Sequence, residues 1–128
     1  MDWEPLRYDV ERGALRRFAR AVGDPNPLWQ DMAPPTFILA VGLEQVEQRL
    51  WGMVSSGAVI HGSTEAEYYG TIRAGDTIII KTKLASIRER PGKRGKMVFL
   101  AFDAAYENQK QVLVARSRQT IIVTEKAG

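Results

Sequence analysis

Between residues 13 and 22 the apolar side chains Leu15, Phe18, Ala19 and Val22 recur at the i, i+3, i+4, i+7 spacing of one helix face, with arginines outside it. Gly23 stands where such a helix would stop, and Asp24-Pro25-Asn26-Pro27 forbids regular structure next, predicting a rigid, irregular loop. From Pro35 to about Met53, Leu39, Leu43, Val46, Leu50 and Met53 repeat at intervals of four and three, predicting a second, longer helix. Pro34-Pro35 suits its first turn, and Gly42 in its middle is a local weakness. After Ser55-Ser56-Gly57 the period changes from 3.6 to 2, predicting strands at 58–69, 76–88, 96–107 and 111–124. Tyr68 and Tyr69 then point to opposite faces, one towards the core and the other towards a neighbouring subunit.

The connections read from this pattern are short: Arg73-Ala74-Gly75-Asp76, Pro91-Gly92 and Asn108-Gln109-Lys110. Short connections predict an antiparallel meander. One long helix followed by such a meander predicts an α+β fold in which the sheet wraps around the helix, the hot-dog architecture. With 128 residues, no repeats and no linker, the expectation is a single domain over 1–128.

Composition narrows the chemistry. There is no cysteine, which excludes disulfides, a thiol nucleophile and Cys-ligated zinc, and His61 is the single histidine. No metal or cofactor is expected. No apolar run reaches the length of a membrane span and the N-terminus is not a signal peptide, so the expected location is cytoplasmic, away from membranes. Basic residues exceed acidic ones by 18 to 15 and the pI is about 9.4, but the two signs are interspersed, which argues against nucleic acid. The one basic cluster spans 88–96 and includes Lys93, Arg94 and Lys96. It reads as a solvated hairpin tip, with binding of a phosphorylated ligand as the alternative.

The segment Phe18-Ala-Arg-Ala-Val-Gly-Asp-Pro-Asn-Pro-Leu28 resembles the hydratase segment of MaoC-like dehydratases, which runs from an aromatic residue to Gly-Asp-x-Asn-Pro-(Leu/Ile/Val)-His. Further stretches match in order: Ala33-Pro-Pro-Thr-Phe37, Ile60-His-Gly-Ser-Thr-Glu-Ala-Glu-Tyr-Tyr69, Arg73-Ala-Gly-Asp76, Gly95-Lys-Met-Val-Phe99 and Tyr106-Glu-Asn-Gln109. The resemblance covers nearly the whole chain and is closest to the N-terminal, non-catalytic units of that family. It implies the reversible addition of water to a trans-2-enoyl thioester. That reaction needs an Asp-His pair to hold and activate the water, and backbone donors near the start of the central helix as an oxyanion hole.

The resemblance places the Asp at Asp24 and the His at residue 29, which here is Trp29. Indole has no titratable nitrogen and only donates a hydrogen bond, so Trp29 cannot relay a proton. Only Gln30-Asp31-Met32 separate this segment from Ala33, a shorter loop than in many relatives, which implies an altered pocket mouth. Asp24 and Asn26 then read as loop braces, with catalysis as the alternative for Asp24. His61 reads as a structural or interface residue, with a replacement dyad formed with Asp24 as the alternative. No residue is assigned a catalytic role outright. Asp24, Asn26, Trp29, Pro35, Thr36, Lys93, Arg94 and Lys96 are the candidate substrate contacts.

These features imply an accessory hot-dog subunit of an enoyl-thioester hydratase or (R)-3-hydroxyacyl dehydratase. Its partners would be an acyl-CoA or acyl-carrier thioester and a catalytic hot-dog chain, or a second copy of itself. The alternatives are a homodimeric acyl-CoA-binding module without turnover, and a self-sufficient hydratase or thioesterase using Asp24 with His61. The fold alone does not choose among them.

Overall fold

The computed structural model describes residues 3–41, 58–93 and 95–124. Five strands, β1 (Leu6–Asp9), β2 (Ala58–Tyr68), β3 (Thr77–Gly92), β4 (Gly95–Glu107) and β5 (Leu113–Thr124), form one antiparallel sheet in the order β1-β3-β4-β5-β2. The helical pieces are α1 (Arg12–Ala21), a 3-10 turn (Pro27–Gln30) and α2 (Phe37–Ala40).

The period-2 pattern after residue 57 does form strands, and β3, β4 and β5 make the expected meander. The expected pairing of the first two of these strands does not occur: β2 lies beside β5 at the far edge. Residues 69–76 therefore cross the end of the sheet instead of reversing in a hairpin. They cover three strand spacings, roughly 14 Å, well within reach of eight extended residues. Hydrogen bonds fix the crossing: the Tyr69 and Gly70 N–H groups donate to the Val114 carbonyl at 2.8 and 3.2 Å. Farther along, the Ala33 N–H donates to the Ile72 carbonyl and the Ala74 N–H to the Asp31 carbonyl, both at 2.8 Å.

The β3–β4 hairpin turns later than expected. Pro91 and Gly92 remain in the strand, opposite Lys96 and Gly95, and the turn begins only at Lys93. Pro91 is tolerated because β1 pairs only with Thr77–Ile80, so the other edge of β3 near Pro91 has no strand partner among the described residues. β1 itself has no counterpart in the periodicity reading, because four residues are too few for the alternation to stand out.

Helix α1 follows the predicted face in part. Leu15 and Ala19 are buried, Phe18 packs against the same cluster, and Val22 is 54% exposed because it already caps the helix. The second helix departs more. After four residues Val41 takes an extended backbone (φ −73°, ψ 124°), so the continuous helix expected from Pro35 to about Met53 is interrupted there. A β-branched residue followed by Gly42 is a weak point for helix propagation. The remainder of that expectation, at 42–53, lies outside the described residues.

One apolar cluster joins Val10, Leu15, Phe37, Ile38 and Ile72 to Ile78, Ile80, Tyr106, Val114 and Ala115. Phe18 meets the Phe37 ring edge-on at 5.4 Å, seating α1 on α2. A second cluster gathers Leu100, Phe102, Ile121 and Val123 under Trp3, whose ring lies 5.1 Å from Phe102. The buried Tyr106 hydroxyl pairs with Ser117 Oγ at 3.1 Å, and burial raises the phenol pKa. No described helix is long and apolar enough to cross a membrane.

The chain leaves α1 through a Schellman motif. The Gly23 N–H donates to the Arg20 carbonyl at 3.1 Å and the Asp24 N–H to the Ala19 carbonyl at 3.0 Å, with Gly23 at φ +73°. A Cβ on Gly23 would meet nothing within 4 Å, so glycine is needed there for its backbone conformation and not for space. Gly23→Ala is therefore expected to destabilise the protein by about 1 kcal/mol through left-handed strain alone. Urea unfolding monitored by circular dichroism measures this, with an unchanged m-value.

Candidate functional site

The Schellman turn delivers Asp24 to the start of the loop with its side chain facing forward along the chain. Asp24 Oδ1 accepts from the Asn26 N–H at 3.1 Å, and Asn26 Oδ1 in turn accepts from the Leu28 N–H at 3.0 Å. Asn26 thus caps the 3-10 turn, whose first residue, Pro27, needs no donor partner. The turn brings Trp29 back over Asp24, and the indole Nε1–H donates to Asp24 Oδ2 at 2.8 Å. Both carboxylate oxygens are therefore engaged by donors of the same six-residue stretch.

This geometry has a chemical consequence. An imidazole in place of Trp29 could donate to Asp24 and still keep a second nitrogen to accept a proton; an indole has none. The Asp24–Trp29 pair can hold the loop in shape but cannot pass a proton to or from a water. A cleft of about 470 Å³ opens beside it, lined by Arg16, Arg20, Asp24, Asn26 and Trp29 among others. Arg16 and Arg20 were not singled out in the sequence. Their four-residue separation on α1 is the signal that places both on one helix face.

The loop is tied down at its far end. Arg12 Nη2 and Asp31 Oδ1 form an ion pair at 2.7 Å, and Met32 bridges to Arg73. Pro35 and Thr36 form an exposed turn leading into α2. The Phe37 N–H, the first of that helix, is already donated to the Pro34 carbonyl at 2.9 Å.

His61 sits elsewhere, on β2, with its Nε2 2.8 Å from Thr64 Oγ1. No hydrogen bond or ion pair joins it to Asp24, whose partners are Asn26 and Trp29. A bulge at Gly62 follows it, where an added Cβ would come within 3.1 Å of the Thr120 carbonyl. At the basic hairpin, Lys96 Nζ pairs with Glu89 Oε1 at 2.8 Å and Lys93 is exposed, while Arg94 lies outside the described residues. Among the described residues no three His, Cys, Asp or Glu side chains come together as a metal would require.

The architecture places the protein in the hot-dog class. It superposes on a chain of the C-terminally truncated HadBC (3R-hydroxyacyl-ACP dehydratase) complex of Mycobacterium tuberculosis with a TM-score of 0.78, at 22% identity over 95% of this chain and 94% of that one. It also superposes on the ChsH1-ChsH2 complex of the same organism, with a TM-score of 0.75 at 18% identity over 99% of this chain and 86% of that one. Against the R-hydratase PhaJ1 of Pseudomonas aeruginosa the TM-score is 0.67, at 12% identity over 98% and 81%. At these identities the likeness is one of fold.

The model of the FAS1-like, dehydratase domain region matches residues 1–117, and the chain belongs to that family, as a MaoC-like hot-dog dehydratase relative. Among curated proteins it is 34% identical over 100 residues to a UPF0336 protein of Streptomyces avermitilis, covering 66% of this chain and 67% of that protein. A UPF0336 protein of Streptomyces griseus matches more of the length, at 27% identity over 94% of this chain and 89% of the other.

Trp29→Phe removes the indole donor while keeping an aromatic ring. The expected result is a loss of about 0.5–1.5 kcal/mol, the usual net worth of one hydrogen bond, measured by urea unfolding. Asp24→Asn, which weakens the same bond, should then cost little more when combined with Trp29→Phe than Trp29→Phe costs alone.

Proposed function

We propose that this chain is the accessory hot-dog subunit of an enoyl-thioester hydratase or (R)-3-hydroxyacyl dehydratase, paired with a hot-dog chain that carries an intact Asp-His pair. Family membership and the hot-dog fold support a hydratase-type role. The observation that carries the accessory reading is the bond from Trp29 Nε1 to Asp24 Oδ2, in the position where the family resemblance expects a proton-relaying histidine. In this reading the partner's Asp-His pair activates the water, and this chain completes the acyl-binding tunnel and contacts the thioester's carrier. Heteromeric relatives of the same fold, the HadBC and ChsH1-ChsH2 complexes, are consistent with such a pairing.

The self-sufficient alternative requires Asp24 and His61 to act together. Their separate hydrogen-bond partners favour the accessory reading over it. The role of the basic hairpin in gripping the phosphates of CoA or of an acyl carrier belongs to the same proposal. Lys93, Arg94 and Lys96 are its candidate contacts, with Lys96 already balanced by Glu89.

Loss of a general acid-base group removes roughly 100- to 10,000-fold of rate. The purified chain alone is therefore expected to hydrate crotonyl-CoA no faster than buffer, measured by loss of enoyl absorbance. Combined with a catalytic hot-dog partner, activity should appear and survive Asp24→Asn in this chain within a few fold. Activity of the chain alone that disappears in both Asp24→Asn and His61→Ala would falsify the accessory reading and establish the replacement dyad.

A separate measurement addresses the hairpin. Neutralising Lys93, Arg94 and Lys96 together should weaken CoA-ester binding and flatten its salt dependence in calorimetric titration. Unchanged affinity at low salt would identify the cluster as a solvated hairpin tip.

A further inference from the structure

Helix α1 carries Arg12, Arg16, Arg17 and Arg20 and no acidic residue. Arg12, Arg16 and Arg20 recur every four residues and so form one row along the helix surface. The folded chain returns a carboxylate to the first of them, where Asp31 pairs with Arg12 at 2.7 Å. Arg16 and Arg20 receive none, and neither makes a hydrogen bond or an ion pair among the described residues. Arg20, in the last turn, gains from the negative end of the helix dipole; Arg16, in the middle, does not. Like charges four residues apart repel, so the pair is a cost that the fold itself leaves standing.

Several exposed charges on the sheet, by contrast, have found partners. Arg118 grips Asp103 with two hydrogen bonds, at 2.6 and 2.8 Å, and Lys81 holds Glu107 at 3.1 Å. At the end of β2 the Tyr69 hydroxyl donates to Glu67. Tyr68 and Tyr69 are 44% and 53% exposed, so neither packs in the core as the sequence pattern predicts for one of them.

The two unpaired arginines border a concave site. They line the cleft of about 470 Å³ together with Asp24, Asn26, Trp29 and Gln30, a volume within the range of small-molecule sites. The carboxylate in that cleft is already engaged. Asp24 Oδ1 accepts the Asn26 N–H and Asp24 Oδ2 accepts the Trp29 indole N–H. Trp29 adds aromatic surface and Gln30 an uncharged amide. Two guanidinium groups one helical turn apart offer two planar forks of N–H donors. A carboxylate satisfies one such fork, whereas a phosphoryl group has oxygens for both.

We propose that Arg16 and Arg20 form a phosphoryl-binding site beside the Asp24–Trp29 pair, and that its ligand is the phosphorylated pantetheine arm of a thioester carrier. The phosphoryl chemistry stands on the two arginines and the cleft; the carrier arm as ligand rests on the accessory reading. CoA and an acyl carrier both bear a pantetheine phosphate, so either source presents the same group. A loop that cannot pass a proton then still serves the substrate, by holding its charged end.

Calorimetric titration of the full chain with pyrophosphate and with phosphopantetheine tests the site, with pantetheine as the probe that lacks phosphate. Both phosphorylated probes should bind and pantetheine should not. Arg16→Gln/Arg20→Gln should weaken them by at least about tenfold, since each guanidinium supplies charge-assisted hydrogen bonds. Added salt should weaken binding to the parent chain. The urea midpoint of the double variant should stay at or above the parent's, which separates lost binding from lost fold. CoA and an acyl carrier bearing the same arm distinguish the two sources: the one weakened by the double substitution is the carrier this cleft takes. The inference is overturned if the phosphorylated probes fail to bind at millimolar concentration, if pantetheine binds equally, or if the double variant keeps full affinity. Tighter binding of a glutamate-rich peptide, or a double variant that weakens neither CoA nor the acyl carrier, overturns it as well. Hydration of crotonyl-CoA by the chain mixed with a catalytic hot-dog partner tests the accessory reading separately. Pyrophosphate binding with an inactive mixture removes the carrier and leaves the phosphoryl site; an active mixture without phosphoryl binding removes the site alone.

Discussion

The pairing of β4 with β3 on one side and β5 on the other is the constraint from which the rest of the molecule follows. Once Ile80 stands opposite Tyr106, and Tyr106 opposite Ala115, alternation along each strand decides which side chains enter the core. Ile78, Leu100, Phe102, Ile121 and Val123 fall on the same side and are buried with them or close by, with Leu84 packed against them. A slip by one residue would turn every one of them outward and bury Lys83, Asp103 and Arg118 without water. The charged face is therefore as strong a statement of the register as the apolar one, because burying unpaired charge costs far more than exposing a leucine.

The loop that follows α1 illustrates a different kind of constraint, made of short-range hydrogen bonds. The Schellman turn at Gly23, the Asp24 bond to the Asn26 N–H and the Asn26 cap on the 3-10 turn succeed one another within a few residues. Each satisfies a backbone group that the previous element leaves open. Trp29 closes the series by returning a donor to Asp24. The loop is thus closed on itself by a side chain that donates a hydrogen bond and has no group able to accept a proton.

The two edges of the sheet are unequal. β1 is four residues long, while β2 offers eleven. Short edges limit unwanted association, and long ones invite a specific neighbour. The Gly62 bulge interrupts β2 near His61, and Glu65 and Glu67 lie beyond it, on the stretch from Ser63 to Tyr68 whose register with β5 is regular.

Local signals were legible wherever a few neighbouring residues suffice to define them. The α1 face, the stop at Gly23, the irregular Asp-Pro-Asn-Pro loop, the change to period 2 and the chemical poverty of Trp29 as a proton carrier all depend on contacts within one or two turns of chain. The tertiary structure decided what depends on distant partners. That β2 lies beside β5 and not β3 follows from a crossing fixed by Val114 and by the 31–33 segment, which no alternation in 58–88 encodes. The hairpin turned past Pro91-Gly92 because β3 has no outer neighbour there among the described residues, a fact about β1 and not about the turn residues. The cross-strand rows that end on Glu65 and Glu67, opposite Arg118 and Arg116, are invisible along the chain, since their members lie up to 53 residues apart and meet only across strands. Periodicity reports which face of a strand is apolar; only the pairing of strands reports which charges stand next to each other.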